Sequence, residues 1–169
     1  MLPIVSIIGH HDAGKTRVIS ALIDELSERG LRVGAVKHAP HLETARPEGA
    51  DSERLRAAGA AHVLLLARDA AVLTTPLPAS DDLPETLQRT FSGRCDLVLV
   101  EGLKRGPFPK IEVFRRAGRV PQQPLAGAIE VAAVITDGAV GLPDGVPSFS
   151  PSDIAGIADF IENRFLIAP

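Results

Sequence analysis

The chain has 169 residues, of which 45% are hydrophobic and 23% charged, which suits one domain with a real core and argues against long disorder. A net charge of -3 argues against a nucleic-acid groove or a polybasic membrane surface, and the single cysteine, Cys95, rules out an internal disulfide framework. The longest apolar stretches are strand-sized, far below the ~20 residues that span a bilayer, and the N-terminal MLPIVSIIG lacks the basic start of a secretory signal, so a cytoplasmic protein is expected.

In chain order, residues 3–8 (PIVSII) form a continuous apolar run, as in a strand buried on both faces. Val18, Ile19, Leu22, Ile23 and Leu26 then recur at helical spacing, and Gly30 supplies the stop. Residues 32–37 (RVGAVK) predict a second strand and residues 39–50 a loop. Asp51 reads as the cap of a short helix through Ala58, ended by Gly59. Residues 62–67 and 70–74 predict two strands joined by a tight Arg68-Asp69 turn. Asp81 or Asp82 reads as the cap of a helix reaching Ser92, with Leu83, Leu87 and Phe91 inward. Residues 96–100 (DLVLV) predict a doubly buried strand, and residues 110–114 alternate as an edge strand does. Residues 117–127 read as a loop, residues 130–136 as a strand. Ser150, Pro151 and Asp153 mark a helix start, with Ile154, Ile157, Ile161 and Phe165 along its buried face. Strands alternating with helices make the class α/β with a mostly parallel sheet.

The stretch Gly9-His10-His11-Asp12-Ala13-Gly14-Lys15-Thr16 has the phosphate-loop spacing, with glycines first and sixth and Lys-Thr at the end. The glycines let the backbone wrap with its N–H groups toward phosphate oxygens. Lys15 would reach the β- and γ-phosphates, and the Thr16 hydroxyl would ligate Mg²⁺. The helix that follows aims its positive end at the same place. A buried strand before the motif and an amphipathic helix after it are the context the motif needs, so the expectation is a single P-loop NTPase-type domain over residues 1–169, a three-layer sandwich with a mostly parallel central sheet.

Such a loop needs a second acidic group for the metal's shell or the attacking water. Glu101 ends the run DLVLVEG, at the carboxyl end of a strand where ligands of open parallel sheets collect. It is the candidate for both the catalytic and the metal-side role, with Thr16 as the other metal ligand. Asp137 follows the strand VAAVIT and is the candidate guanine contact, although no Asn-Lys-x-Asp string is present. His10, His11, His38 and His41 show no metal-ligand spacing and read as polar loop residues. Lys104, Arg105 and Lys110 surround a Gly-Pro-Phe-Pro stretch, either a loop that grips a phosphorylated ligand or partner, or a plain solvated face.

The segments IIGHHDAGKT (7–16), VGAVKH (33–38), ADSERLRAAGA (50–60), DLVLVEGLK (96–104) and PKIEVFR (109–115), in that order, resemble the molybdopterin-guanine dinucleotide biosynthesis adaptor family, MobB. The resemblance implies a GTP-binding homodimer with slow intrinsic hydrolysis and a Mg²⁺ cofactor. It implies assistance to the molybdopterin guanylyltransferase that attaches GMP to the molybdenum cofactor, and names the pterin cofactor as a second candidate ligand. Carried over by position, residues 9–16 bind phosphates, Glu101 takes the metal-side role, and Lys37, His38 and Asp51 face the nucleotide or cofactor. The chain departs from the family in carrying His10, His11 and Asp12 where small residues are usual, and Ala50 where a lysine usually precedes Asp51. Two other readings use the same loop. A small-molecule kinase would need an acceptor site and a lid, and residues 104–119 carry four arginines. A metallochaperone-type GTPase is disfavoured by the single cysteine.

Overall fold

The apolar run at the N-terminus forms β1 (Ile4–Ile8), every residue of it buried. It leads through the glycine-rich loop into α1 (Lys15–Glu28), whose Val18, Ile19, Leu22 and Leu26 are buried at helical spacing. This computed structural model describes residues 1–39, 50–76, 83–116 and 123–166. The chain divides into two compact units, residues 1–38 with 84–169 and residues 39–83.

In the first unit, β2 (Val33–Lys37), β5 (Leu97–Glu101), β6 (Lys110–Phe114), β7 (Ala133–Thr136) and β8 (Ser148–Phe149) join β1 in one all-parallel sheet of order β2-β5-β1-β6-β7-β8. Alternation along the strands divides the apolar side chains between two faces. Val5, Ile7, Leu99, Ile111, Val113 and Ile135 meet α1 and α4 (Ile154–Ile161) on one face. Ile8, Phe114 and Val134 meet Ala126, Val131 and neighbouring loop residues on the other. That second face is also covered by α3 (Leu83–Phe91), because Gly34 leaves room for Phe91: a Cβ there would come 2.8 Å from the ring. Asp153 caps α4, its carboxylate accepting the Gly156 N–H, and a single π-type turn (Glu162–Leu166) follows. Arg29 fastens α1 to α4 through Asp159 at 2.6 Å and Glu162 at 2.8 Å.

The second unit holds α2 (Ala50–Ala57) and an antiparallel hairpin of β3 (Val63–Leu66) and β4 (Ala71–Thr74). The hairpin turns at Arg68-Asp69, with Ala67 N–H donating to the Ala70 carbonyl at 2.8 Å. Among the described residues no helix is long and apolar enough to cross a membrane.

One expectation is corrected. Residues 110–114 are not an edge strand: β6 lies between β1 and β7, and Ile111 to Phe114 are all buried. Its alternation misleads because Glu112 is a charged residue that faces the interior, where backbone N–H groups take the place of water. Bounds also differ: most shift by a single residue, as β5 does, β7 starts three residues later than residue 130, and α2 begins at Ala50, so Asp51 lies in its first turn rather than at its cap. The two-residue β8 is too short for a periodic signal. The expected caps Asp81 and Asp82 and most of the loops at 39–50 and 117–127 lie outside the described residues, although residues 125–127 form a 3-10 turn.

Candidate phosphate-binding site

The chain leaves β1 at Ile8 and turns sharply at Gly9, whose φ of 151° is glycine territory. A Cβ at Gly9 would collide with the carbonyl oxygen of Val113 in β6, so the loop hugs the neighbouring strand as only glycine permits. Asp12 sits at φ 57° and Gly14 at 92°, so the loop curls back into the first turn of α1. Asp12 tolerates the left-handed region, which its short polar side chain makes accessible. Its carboxylate is exposed and pairs with His11 Nδ1 at 2.9 Å, so the negative charge lies on the outer surface of the loop. The Lys15 ammonium donates to the carbonyls of His10 at 2.6 Å and Gly9 at 3.4 Å. Burial pushes its pKa below the ordinary lysine value; Glu101 and Asp12 oppose that shift, while Lys104 and Lys37 reinforce it. Three of the four lysines of the sequence therefore share one electrostatic neighbourhood around the loop.

Glu101 is the last residue of β5 and stands level with Ile7 of β1 and Lys37 of β2. One of its carboxylate oxygens accepts the Thr16 hydroxyl at 2.7 Å, and the other lies 3.7 Å from the Lys37 ammonium. A hydroxyl and a carboxylate at hydrogen-bond distance, beside a positively charged loop, are the hard oxygen donors that Mg²⁺ takes. His38 follows Lys37 and its backbone N–H donates to the Glu101 carbonyl at 3.0 Å. Gly102 then turns away with φ 94°, and a Cβ there would meet the His38 carbonyl at 3.4 Å.

On the other side of the loop, beyond the carboxyl ends of β6, β7 and β8, a cavity of about 480 Å³ is lined by Gly14, Arg17, Arg115, Asp137, Ser150 and Ser152, among others. The Arg115 guanidinium lies along Gly14, 3.5 Å from where a Cβ would be. Asp137 follows β7, and its Oδ1 accepts the Arg116 backbone N–H at 2.9 Å.

The structure thus brings together residues 9–16, Lys37, His38 and Glu101, and sets Asp137 in a cavity that also touches Gly14. Asp51 belongs to the second unit and pairs with Arg54 at 3.3 Å. His41 lies outside the described residues. Among the described residues no three His, Cys, Asp or Glu side chains cluster as metal ligands. Lys110 turns inward to hold the 103–109 loop, donating to the carbonyls of Gly106 at 2.8 Å and Phe108 at 2.9 Å. Arg115 and Glu112 stand out in no linear pattern. Only their place in the PKIEVFR segment, ending one residue past β6, marks them.

A family model described as "Molybdopterin guanine dinucleotide synthesis protein B" matches residues 4–137. The chain belongs to the MobB family. It is 38% identical over 166 residues to the molybdopterin-guanine dinucleotide biosynthesis adapter protein of Haemophilus influenzae, covering 96% of this chain and 89% of that one. It is 35% identical to the Escherichia coli adapter protein of the same name over 164 residues, 95% of this chain and 92% of that one. Among solved structures it resembles a molybdopterin-guanine biosynthesis protein B at TM-score 0.70 and 26% identity, covering 95% and 97% of the two chains. Bacillus subtilis MobB shares the fold at TM-score 0.68 and 23% identity, over 97% and 98%. The MobB fold is a nucleotide-binding P-loop fold, and the strand order and loop described above are its features in this chain.

Proposed function

We propose that the chain is a cytoplasmic GTP-binding accessory protein of molybdopterin guanine dinucleotide synthesis, a slow GTPase that assists the guanylyltransferase joining GMP to the molybdenum cofactor. The observation that carries this reading is the meeting of Thr16 and Glu101 at 2.7 Å beneath a glycine-built loop. In it, residues 9–16 wrap the phosphates and Lys15 exchanges its two loop carbonyls for phosphate oxygens. Thr16 and Glu101 would hold Mg²⁺, which would supply charge neutralisation to the phosphates. Glu101 orients the attacking water. Asp137, in the cavity beside Gly14, accepts from guanine. Lys37 and His38, at the open end of β2, are the proposed contacts for the second ligand, the pterin cofactor.

Slow turnover belongs to the same reading: P-loop proteins acting alone hydrolyse on the order of 10⁻⁴ per second, or 10⁻² per second with an arginine supplied in cis. That suits an adaptor that acts beside its partner. A homodimer belongs to the same reading, because Leu64, Leu66 and Leu73 of the hairpin are exposed and call for cover.

The test is guanylylation of molybdopterin in vitro with Mg²⁺-GTP and the guanylyltransferase, with and without this protein. A gain in product that Lys15→Ala abolishes supports the reading. Lys15→Ala removes charge-assisted contacts worth ~1.5–3 kcal/mol, about ten- to a hundredfold in affinity. No gain, with fast transfer of phosphate from ATP to a small molecule, would favour a kinase.

A further inference from the structure

Glu112 is fully buried in the centre of β6, level with Ile8, the residue that precedes the phosphate loop. Ile8, Phe114 and Val134 are its apolar neighbours on that face, and Lys110, two residues before it on the strand, gives its ammonium to the Gly106 and Phe108 carbonyls instead. A buried carboxylate is costly unless donors meet its oxygens. Among the described residues no cation pairs with it. Instead Oε1 accepts the Leu125 N–H at 2.8 Å and Oε2 the Ala126 N–H at 2.9 Å, at the start of the Leu125–Gly127 turn.

Two residues earlier, the Gln123 carbonyl meets His10 Nε2 at 3.0 Å. A carbonyl only accepts, so His10 donates from Nε2. The His10 carbonyl in turn holds the Lys15 ammonium at 2.6 Å. A continuous path therefore runs from a carboxylate beneath the sheet, through residues 123–126, to the lysine of the loop.

We propose that Glu112 is a positioning residue for phosphate binding: it fixes the 123–126 segment, whose Gln123 carbonyl holds the His10 ring, and through His10 it presets the phosphate loop. A carboxylate serves here because it accepts two adjacent N–H groups at once, which no apolar side chain could do. The second half of this inference rests on residues 9–16 being the nucleotide cradle. The first half concerns the free protein.

Glu112→Gln keeps the shape but points an amide donor at a backbone donor. Nitrogen NMR of the histidine rings in the nucleotide-free protein reads the His10 hydrogen bond directly. The expected result is a changed His10 ring signal and an affinity for Mg²⁺-GTP lower by about tenfold. His10→Ala should cost a similar factor, and the double variant no more than either alone, because residues that act through one another are not additive. His10→Gln, which retains a donor, should recover most of what His10→Ala loses. Merely structural anchoring by Glu112 would lower the melting temperature and leave the ring signal as in the parent. That outcome overturns the proposal, as does a loss of affinity that adds to that of His10→Ala. Should the parent bind no GTP, the nucleotide reading falls and the ring signal alone decides the relay. Should Glu112→Gln fail to fold, equal losses in His10→Gln and His10→Ala overturn the proposal.

Discussion

The Thr16 hydroxyl donates to the Glu101 carboxylate at 2.7 Å, joining residues 85 apart in sequence. The register explains the meeting: Glu101 is level with Ile7, two residues before the loop begins, and the loop curls back to start α1 at Lys15, so that Thr16 in its first turn reaches the end of β5. Lys37 flanks the same carboxylate at 3.7 Å, so the acid sits between a hydroxyl and a cation before any ligand arrives.

Glu101→Gln should therefore separate chemistry from binding. The amide keeps the size of the side chain and can still meet Thr16, but cannot stabilise charge in the metal's shell or orient water as a carboxylate does. Single-turnover phosphate release from GTP should fall on the order of a hundredfold. The dissociation constant, resting mainly on the loop backbone, should change by no more than about threefold. Parental values for both would leave Glu101 as a strand-end charge.

Asp137 offers a test of base choice. It lines the cavity with Gly14, Ser150 and Ser152, and its Oδ1 is engaged by the Arg116 N–H. A carboxylate can accept from the two adjacent donors of guanine, and adenine presents no matching pair. Asp137→Asn should weaken GTP about tenfold and leave ATP within about twofold, measured by calorimetry on both nucleotides. Undiminished GTP binding would move base recognition elsewhere.

Much of the first unit was legible because its signals are local. The run before Gly9, the spacing of Val18 to Leu26 and the run ending at Glu101 each satisfy a rule of a few residues, and the parallel register then carries Glu101 to Thr16. What escaped is non-local. Glu112 looks like the solvent-facing residue of an edge strand, since its partners, the N–H groups of Leu125 and Ala126, come from a turn with no periodicity. Arg115 gains meaning only where the ends of β6, β7 and β8 converge beside Gly14. Asp12, one of the residues by which the loop departs from the family, faces outward to His11, an orientation that sequence spacing does not show and that goes with its backbone angle of 57°.

The opposite end of β5 makes a prediction about acid stability. Asp96 is gripped by Arg32 through its side chain at 2.8 Å and its backbone N–H, also at 2.8 Å. The Arg32 side-chain and backbone hydrogen bonds hold its carboxyl at about 2, well below the ordinary carboxylate value of 3.8. A carboxyl depressed in the folded state contributes stability that is present above its unfolded pKa and lost as pH falls through the folded one. The window thus runs from about pH 4 down to about pH 2. Asp96→Asn should be less stable than the parent at pH 7, with the two urea midpoints converging across that window. A difference that persists unchanged to pH 2 would assign the effect to packing.

The hairpin of the second unit carries the last prediction. Its cross-strand pairs put Leu64 opposite Leu73 on one face and Leu65 opposite Val72 on the other, so both faces are apolar. Leu66 is 72% exposed, Leu73 60% and Leu64 55%. A two-stranded hairpin alone is marginal in water, and its unpaired edges are a template for another strand. A second copy of the chain brings the same apolar faces and the same edges, which pair with no further strand among the described residues, so a two-fold arrangement can cover both hairpins at once. Replacing Leu64 and Leu66 together with lysine should therefore turn a dimer into a monomer, or raise its dissociation constant by on the order of a hundredfold, read by light scattering across a dilution series. Lysine on an edge strand discourages pairing without demanding burial, so the first unit should keep its own melting transition. A parent that is monomeric at high micromolar concentration, or a variant that remains as dimeric as the parent, would exclude the hairpin as the self-association surface.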